Sequence, residues 1–328
     1  MGQLLSDTSN NEDNGDLVSS ATKYFMEIKA ETKIISQETI HLIEFHLKKG
    51  NIQGANSVIN DALKNIDNAP INVAVTGESG AGKSSFINAL RGVEPEDQDA
   101  AEEGVTETTM MRTPYKHPKI KTLTLWDLPG IGTMNFPPKD YLEKVKFQEH
   151  LSDYDFPILM DTLIKDLSNQ KRHNFMLSLP NITEAVIDRK HKSLQQHIWL
   201  EAFTAGLLAA IPGVGIHTND VEKLKVKLNH YRVLFGVDDA SLDVIAKDSQ
   251  VPIEQLRKII KSPYLLETKK EETLGEMLFK YLEKFHLANG GLLAADFYFR
   301  KTFYLEFLFL DTVTEDAKVL LRETYSKI

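Results

Sequence analysis

Cysteine is absent from the 328-residue sequence. Its absence excludes a disulfide framework, thiol catalysis and thiolate metal sites, and it fits an intracellular location. An excess of positive charge is lacking as well, because the formal net charge is −9 at pH 7. Without a clustered cationic surface to neutralise a phosphate backbone, the chain is not expected to bind nucleic acid.

Signals for secretion or membrane insertion are also sparse. The N-terminus has no cationic start and no apolar core segment, so no secretory signal peptide is predicted. Its first six residues fit the N-myristoylation pattern at Gly2, although so short a pattern also arises by coincidence. Residues 202–216 are nearly all apolar, but at about 15 residues they are too short for a simple membrane span, which favours a buried hairpin over membrane insertion.

A phosphate-binding loop is the clearest motif that the sequence does contain. The pattern GxxxxGK[ST] is matched at every fixed position by Gly77, Glu78, Ser79, Gly80, Ala81, Gly82, Lys83 and Ser84. An apolar run predicts a strand just before it, and Ser85 opens a predicted helix just after it. This context lets glycines turn the backbone around an anion and aims helix N–H groups at the phosphates. We expect Lys83 to reach the terminal phosphates and Ser84 to bind Mg²⁺.

A second motif lies about 45 residues further along the chain, at a distance typical of nucleotide switches. Residues 121–126 alternate in the manner of a strand that ends in the DxxG sequence Asp127 to Gly130. The aspartate is placed to hold Mg²⁺ through water, and the glycine amide can meet a γ-phosphate. Thr109 is our choice for the threonine that adds a second magnesium ligand, with Thr106 and Thr108 as competitors.

One expected motif is missing. A guanine-nucleotide fold needs an Asn/Thr-Lys-x-Asp sequence whose aspartate binds the edge of the base, and none follows Gly130. Residues after this point read as helices instead, including long patterns over 183–210 and 221–235 and a dense aromatic stripe over 297–309. Such a stripe is more typical of a buried core than of a membrane contact.

Four stretches together resemble the interferon-inducible immunity-related GTPases: residues 75–88, 114–118, 126–132 and 171–175. The resemblance runs over nearly the whole chain. It implies a dynamin-like GTPase of innate immunity that is induced by interferon and assembles on vacuoles enclosing intracellular pathogens. Lys83 matches the effector branch of the family, which has a Gly-Lys-Ser loop.

The resemblance also implies ligands, partners and residue roles. The ligands are GTP or GDP and Mg²⁺, and the partners are copies of the chain, related GTPases and a membrane surface. The location is cytoplasmic, at the periphery of endoplasmic reticulum, Golgi or pathogen-vacuole membranes. Gly77 to Ser85 and Asp127 would hold the nucleotide, and Ser84, Thr109 and Asp127 the metal. Lys83, Glu107, Thr109 and Gly130 would serve hydrolysis, with Glu107 matching a position used in catalytic dimerisation.

The sequence departs from the family pattern in one place. Family members carry three further strands with their helices, and the base-binding loop, between the equivalents of residues 144–147 and 154–167. At about 30 residues per strand-helix-strand unit, roughly 80 to 90 residues are missing. The loss should leave the strand at Ile71 to Val75 with one unpaired edge and should remove guanine selectivity, whereas the phosphate contacts should survive.

The predicted fold class is α/β, with a truncated P-loop GTPase domain that has a partial sheet. The expected organisation is a tether (1–16), a helical segment (17–69), the truncated domain (70–150) and a C-terminal all-helical domain (151–328). GTP-dependent assembly on membranes is the leading hypothesis. The alternatives are a non-catalytic membrane-associated protein that pairs with and regulates full-length relatives, and a P-loop ATPase.

Overall fold

The structure is a computed structural model that describes residues 24, 25, 27, 28, 32–78, 80–103, 112–128, 156–210, 220–266 and 292–325. Several predictions lie outside these residues and stay predictions: acylation of Gly2 and the roles of Ser79, Glu107, Thr109 and Gly130.

Helices make up most of the described chain. They are α1 (Gln37–Lys48), α2 (Ile52–Asn68), α3 (Lys83–Arg91), α4 (Phe156–Asp166), α5 (Asn169–Ser178), α6 (Glu184–Ala210), α7 (Asp220–Leu234), α8 (Asp239–Ser249), α9 (Ile253–Ile259) and α10 (Leu292–Tyr325), with a short 3₁₀ helix at Ser262–Leu266. The strands are β1 (Ile71–Val75), β2 (Thr113–Lys116) and β3 (Leu123–Asp127). A mainly helical chain around a small sheet agrees with the predicted fold class at this level.

The three strands form one mixed sheet in the order β1-β3-β2. β1 runs parallel to β3, with Ile71 opposite Leu123 and Val75 opposite Asp127. β2 runs antiparallel to β3. Sequence reasoning missed β2. The proline at its second position has no backbone N–H to donate, so a strand at this place can only lie at the edge of the sheet. The parallel pairing brings the loop after β1 beside the end of β3.

β1 is an edge strand of the described sheet, and we call the side of β1 opposite to β3 its outer edge. The Ile71 amide donates to the Thr122 carbonyl, and the Val75 carbonyl accepts from the Leu128 amide. Odd-numbered residues of β1 therefore turn their backbone groups toward β3, and those of Asn72 and Ala74 point outward. Both of these residues are exposed, and the described strands supply no second neighbour for β1. This arrangement agrees with the predicted unpaired edge.

Helices α6, α7 and α10, which we call the helical body, bury the largest aromatic cluster of the described chain. Trp199 stacks on Phe203 with ring centroids 4.8 Å apart, and Phe299 packs edge-on against Trp199 with centroids 5.5 Å apart. In α10, Phe303 and Phe309 are buried while Tyr304 is exposed. The aromatic stripe is therefore mainly core, as predicted. None of the helices that the structure describes has the length and apolar character to cross a membrane.

Two ion pairs and one hydrogen bond between a histidine and a carboxylate align α6 with α10 along the surface of the helical body. Arg322 lies 2.7 Å from Glu184, Lys318 lies 2.8 Å from Asp188, and His191 lies 2.7 Å from Asp311. Because the partner numbers fall on α10 as they rise on α6, the helices are antiparallel. Exposed pairs of this kind contribute little energy each, but together they favour one alignment.

A chain of charged side chains, of which Glu306 is the most deeply buried, crosses the helical body to α2. The Lys227 ammonium lies 2.6 Å from Glu306 and 2.8 Å from Glu201. His197 lies 3.6 Å from Glu201 and 2.9 Å from Asp67 on α2. Burial opposes a charge on His197, but hydrogen bonds to Asp67 and Glu201 outweigh it and raise the pKa of this imidazole to about 10. The charged histidine thus ties the N-terminal helices to the helical body.

Candidate functional site

The predicted phosphate loop connects β1 directly to α3, so the predicted strand and helix on either side of it are confirmed. Gly80 and Gly82 adopt φ angles of 74° and 78°. A side chain at Gly82 would meet no atom within 4 Å, so the left-handed backbone, rather than space, requires glycine there. Gly82 is also the N-cap of α3, and no side chain caps that end of the helix. The first-turn N–H groups of α3 and its positive dipole end therefore face the loop.

Lys83 folds back over the loop from the first position of α3. Its ammonium donates to the carbonyl oxygens of Gly77 at 3.3 Å and Glu78 at 3.0 Å. These bonds hold the cation above the backbone concavity in which the sequence predicts the phosphates. A lysine in this place can exchange backbone carbonyls for the stronger acceptors of a phosphate group.

Ser84 and Asp127 come together although 43 residues separate them. The Ser84 hydroxyl donates to the Asp127 carboxylate at 2.9 Å. Asp127 is buried at the end of β3, and the parallel register with β1 carries it to the start of α3. The two residues predicted as metal ligands from separate motifs thus present their oxygens to one point.

The donors at this point suit magnesium. A hydroxyl and a carboxylate are hard oxygen ligands, and Mg²⁺ is usually held by one or two such groups together with substrate phosphates. Within the part of the chain that the structure describes, no cluster of three or more histidine, aspartate or glutamate side chains could hold a metal on its own. By the chemistry of their oxygens, Ser84 and Asp127 are the described residues that would hold Mg²⁺, where it would neutralise phosphate charge.

The acidic loop 92–103 follows α3 and is fastened to it. Most of its residues are exposed, but Ala101 is buried. The Asn88 side chain pairs with the backbone of Ala101 in both directions, at 2.8 and 2.7 Å. Arg91 donates to the Asp99 carbonyl at 2.8 Å and to the Lys116 carbonyl at 3.0 Å. The loop and β2 are thereby held against α3.

Glu103 is a residue of this site that sequence reasoning missed. Its carboxylate accepts from the Ser85 hydroxyl at 2.7 Å and from the Asn88 side chain at 2.9 Å. Nothing in the sequence could have singled it out, because it is one of several acidic residues in a polar loop.

The turn between β2 and β3 connects the sheet to the helices. The ring of His117 bonds to the Ser178 carbonyl at 3.1 Å through Nε2, and its Nδ1 accepts from the amides of Lys119 and Ile120. These bonds require a neutral ring with its proton on Nε2. Burial lowers the pKa of His117 to about 4, which keeps the ring neutral.

Comparison with known proteins agrees with the site geometry. The profile of the family Interferon-inducible GTPase (IIGP) matches residues 36–151 and 148–324. Interferon-inducible GTPase 1 of Mus musculus is 42% identical over 409 residues, which take in 98% of this chain and 99% of that protein. Interferon-gamma-inducible GTPase 10 of Mus musculus is 39% identical over 392 residues, covering 94% of both.

The comparisons also bear on the missing segment. The first alignment spans 409 residues, at least 81 more than the 328 residues of this chain. The two stretches matched by the family profile meet at residues 148–151. Both observations agree with a loss of roughly 80 to 90 residues from the nucleotide domain.

Proposed function

The chain belongs to the interferon-inducible GTPase family, and we propose that it binds GTP or GDP with Mg²⁺ through the loop at 77–84, the first turn of α3 and Asp127. The observation that carries this proposal is the 2.9 Å contact between Ser84 and Asp127. The contact supports the proposal because it joins the two predicted metal ligands, which belong to motifs that are far apart in the sequence.

The cellular role that we propose is the one implied by the family. The chain acts in interferon-induced innate immunity and assembles, with copies of itself or with related GTPases, on pathogen-vacuole, Golgi or endoplasmic reticulum membranes. The names of the relatives support a response to interferon and activity as a GTPase. The acylation pattern at Gly2 supplies one membrane signal, and a second signal is needed for stable attachment.

The missing residues alter the expected specificity. Guanine is recognised by hydrogen bonds to its base edge, and loss of such contacts removes discrimination of about 10⁴-fold. The phosphate-binding residues are present, so nucleotide should still bind through its phosphates. We therefore propose weak, poorly base-selective binding and impaired turnover. In this reading, the domain of residues 70–150 is a truncated GTPase domain.

Binding of fluorescent GDP and ADP to the purified protein, with and without Mg²⁺, tests the proposal. We expect similar Kd values for the two bases. Lys83→Ala should weaken binding roughly 10- to 100-fold, because a charge-assisted bond to phosphate is lost. Lys64→Ala, which alters an exposed lysine on α2, is the matched control and should bind as the parent does. Guanine-selective micromolar binding would contradict the proposed loss of base recognition, and no binding would contradict the site itself.

A second candidate function is favoured by the outer edge of β1. A chain that lacks part of its nucleotide domain and presents an unpaired strand could pair with full-length relatives and regulate them without catalysis. Titration of the chain into a full-length relative, with the GTPase rate of that relative as the readout, tests this function. A rate change that persists in Lys83→Ala would favour it, and an unchanged rate would reject it.

A further inference from the structure

The contact of Glu103 with α3 assigns a role to the acidic loop. Its two carboxylate oxygens accept from Ser85 and Asn88, which lie one helical turn apart. Ser85 is the third residue of α3, in the turn whose N–H groups face the phosphate loop. The carboxylate therefore lies beside the positive end of the helix on which phosphate binding depends.

The loop that carries Glu103 is built to hold this position. Asn88 is 2% exposed and is bonded in both directions to Ala101, two residues before Glu103. Arg91 fixes the loop again at Asp99. Side chains at 85, 88 and 91 thus bind the loop on successive turns of α3. Although Glu103 is exposed, its carboxylate is not free to leave without breaking two charge-assisted bonds.

Two kinds of anion compete for the same end of the helix. The Glu103 carboxylate beside the first turn is stabilised by the helix dipole, and phosphate groups in the loop would use the same dipole together with the backbone N–H groups of that turn. Each phosphate also repels the carboxylate through space. Phosphate binding must therefore weaken the bonds of Glu103, and those bonds must weaken phosphate binding by an equal free energy.

We propose that Glu103 is a positioning residue that couples loop 92–103 to the phosphate site: it fastens the loop to α3 when the site is empty and opposes nucleotide in proportion to phosphate charge. This inference rests on the proposed nucleotide binding. It adds a regulatory residue that neither motif contains. The loop becomes less tightly held when nucleotide binds.

The substitution Glu103→Gln tests the charge while keeping the shape of the side chain. We expect Kd for GTP to fall roughly three- to tenfold, Kd for GDP to fall less and Kd for GMP least, because the repulsion grows with phosphate charge. The gain should shrink in high salt, since the groups are solvent-accessible. Glu102→Gln makes the same charge change at the exposed neighbour, which lies outside this set of bonds, and should give a clearly smaller gain.

Hydrogen exchange of the peptide 93–103 tests the coupling from the other side. In the parent, addition of GTP with Mg²⁺ should raise the exchange rate of this peptide. In Glu103→Ala the rate should already be raised without nucleotide, and GTP should raise it little further. If exchange were faster in Glu103→Ala but the GTP affinity of Glu103→Gln equalled that of the parent, Glu103 would hold the loop without affecting nucleotide binding. That result would overturn the proposal.

Failure of the inference is separable from failure of the proposed function. If the parent binds no nucleotide, the proposed function fails, and the comparison is made with inorganic tripolyphosphate as the probe. A gain of tripolyphosphate binding in Glu103→Gln would still support the inference. A Kd within about twofold of the parent for every anion, at low and high salt, would overturn it.

Discussion

The sheet region, residues 71–128, and the helical body differ in how much of their structure is buried. In the helical body, antiparallel helices enclose an aromatic core, ion pairs align them, and a chain of charged side chains crosses between them. The sheet region has three short strands and an exposed outer edge. Nevertheless, the predicted phosphate loop, the predicted magnesium ligands Ser84 and Asp127, and Glu103 all lie in the sheet region. The chemistry is thus carried by the less covered part, and we infer that the larger part supplies most of the stability.

The strongest test of this comparison is loss of core volume in the helical body. Phe309 is 1% exposed, and Phe309→Ala should lower the free energy of unfolding by about 3–5 kcal/mol. The chain has two tryptophans, Trp126 in the sheet region and Trp199 in the helical body. Urea titrations followed in Trp126→Phe and Trp199→Phe backgrounds report each region separately. We expect both transitions to shift, because the sheet region depends on the helices.

Leu308→Ala is the matched control for this prediction. Leu308 is 38% exposed on the same helix, so its truncation should cost much less. If Phe309→Ala moved the transition of Trp199 and left that of Trp126 unchanged, the sheet region would be independently stable and the comparison would be wrong.

The chain of charged side chains makes a second test of the helical body. Lys227→Met would remove the ammonium that Glu201 and Glu306 share. The two carboxylates would then lie close together inside the helical body without a cation between them. Removal of one partner of a buried ion pair costs about 3 kcal/mol or more, so we expect a loss of that size in chemical unfolding. Lys223→Met, an exposed change on the same helix, should be nearly neutral. Equal stabilities of the two variants would show that the charges are not coupled.

The contact between the sheet region and α5 should depend on pH through His117, which bonds to the Ser178 carbonyl. Burial lowers its pKa to about 4 in the folded protein, whereas an imidazole exposed to water has a pKa of 6.5, so the unfolded chain binds a proton first as pH falls. Stability is therefore fully present above about pH 6.5 and is lost as pH falls toward 4. The loss reaches about 3 kcal/mol if no other group compensates.

Urea titrations between pH 7 and pH 4 measure this effect against His117→Asn, in which the amide oxygen can still accept near the place of Nδ1. The variant should be less stable at pH 7 but should lose less stability on acidification. Parallel losses in the two proteins would assign the acid sensitivity to other groups.

The smallest expected effect lies at the outer edge of β1. Ala74→Lys places a charge on this exposed edge and should change the free energy of unfolding by less than about 0.5 kcal/mol. It should, however, reduce self-association at high concentration, because a lysine opposes pairing of strand edges. Light scattering over a concentration series measures this. Equal association of the parent and variant would show that the edge is not a contact between chains.

Sequence reasoning succeeded where local pattern decides structure. The strand at Ile71 to Val75, the helix after Lys83 and the long helices α6 and α7 follow from apolar periodicity and glycine placement. The pairing of Ser84 with Asp127 could be expected because each belongs to a recognised motif whose residues are predicted to bind Mg²⁺. The roles of Thr109 and Gly130 are predicted from motif spacing and that of Glu107 from the family resemblance, and all three residues lie outside the described residues.

The features that sequence reasoning missed depend on contacts between distant residues. β2 contains Pro114 and has only four residues, so its strand character comes from pairing with β3. Ala101 is buried only because Asn88 binds its backbone. The chain of charges from Asp67 to Glu306 joins α2, α6, α7 and α10, and no spacing along the chain marks it.

The antiparallel contact between α6 and α10, which we call the seam, limits which insertions the protein can tolerate. One residue added within α10 would rotate everything beyond it by about 100° around the helix axis. Phe309 would swing away from α6, and the two ion pairs and the hydrogen bond could not all re-form. The alignment with one relative is at least 81 positions longer than this chain. We nevertheless expect the chain to be intolerant of a single-codon insertion in α10, and natural variants should show indels near residues 148–151 but none along this seam.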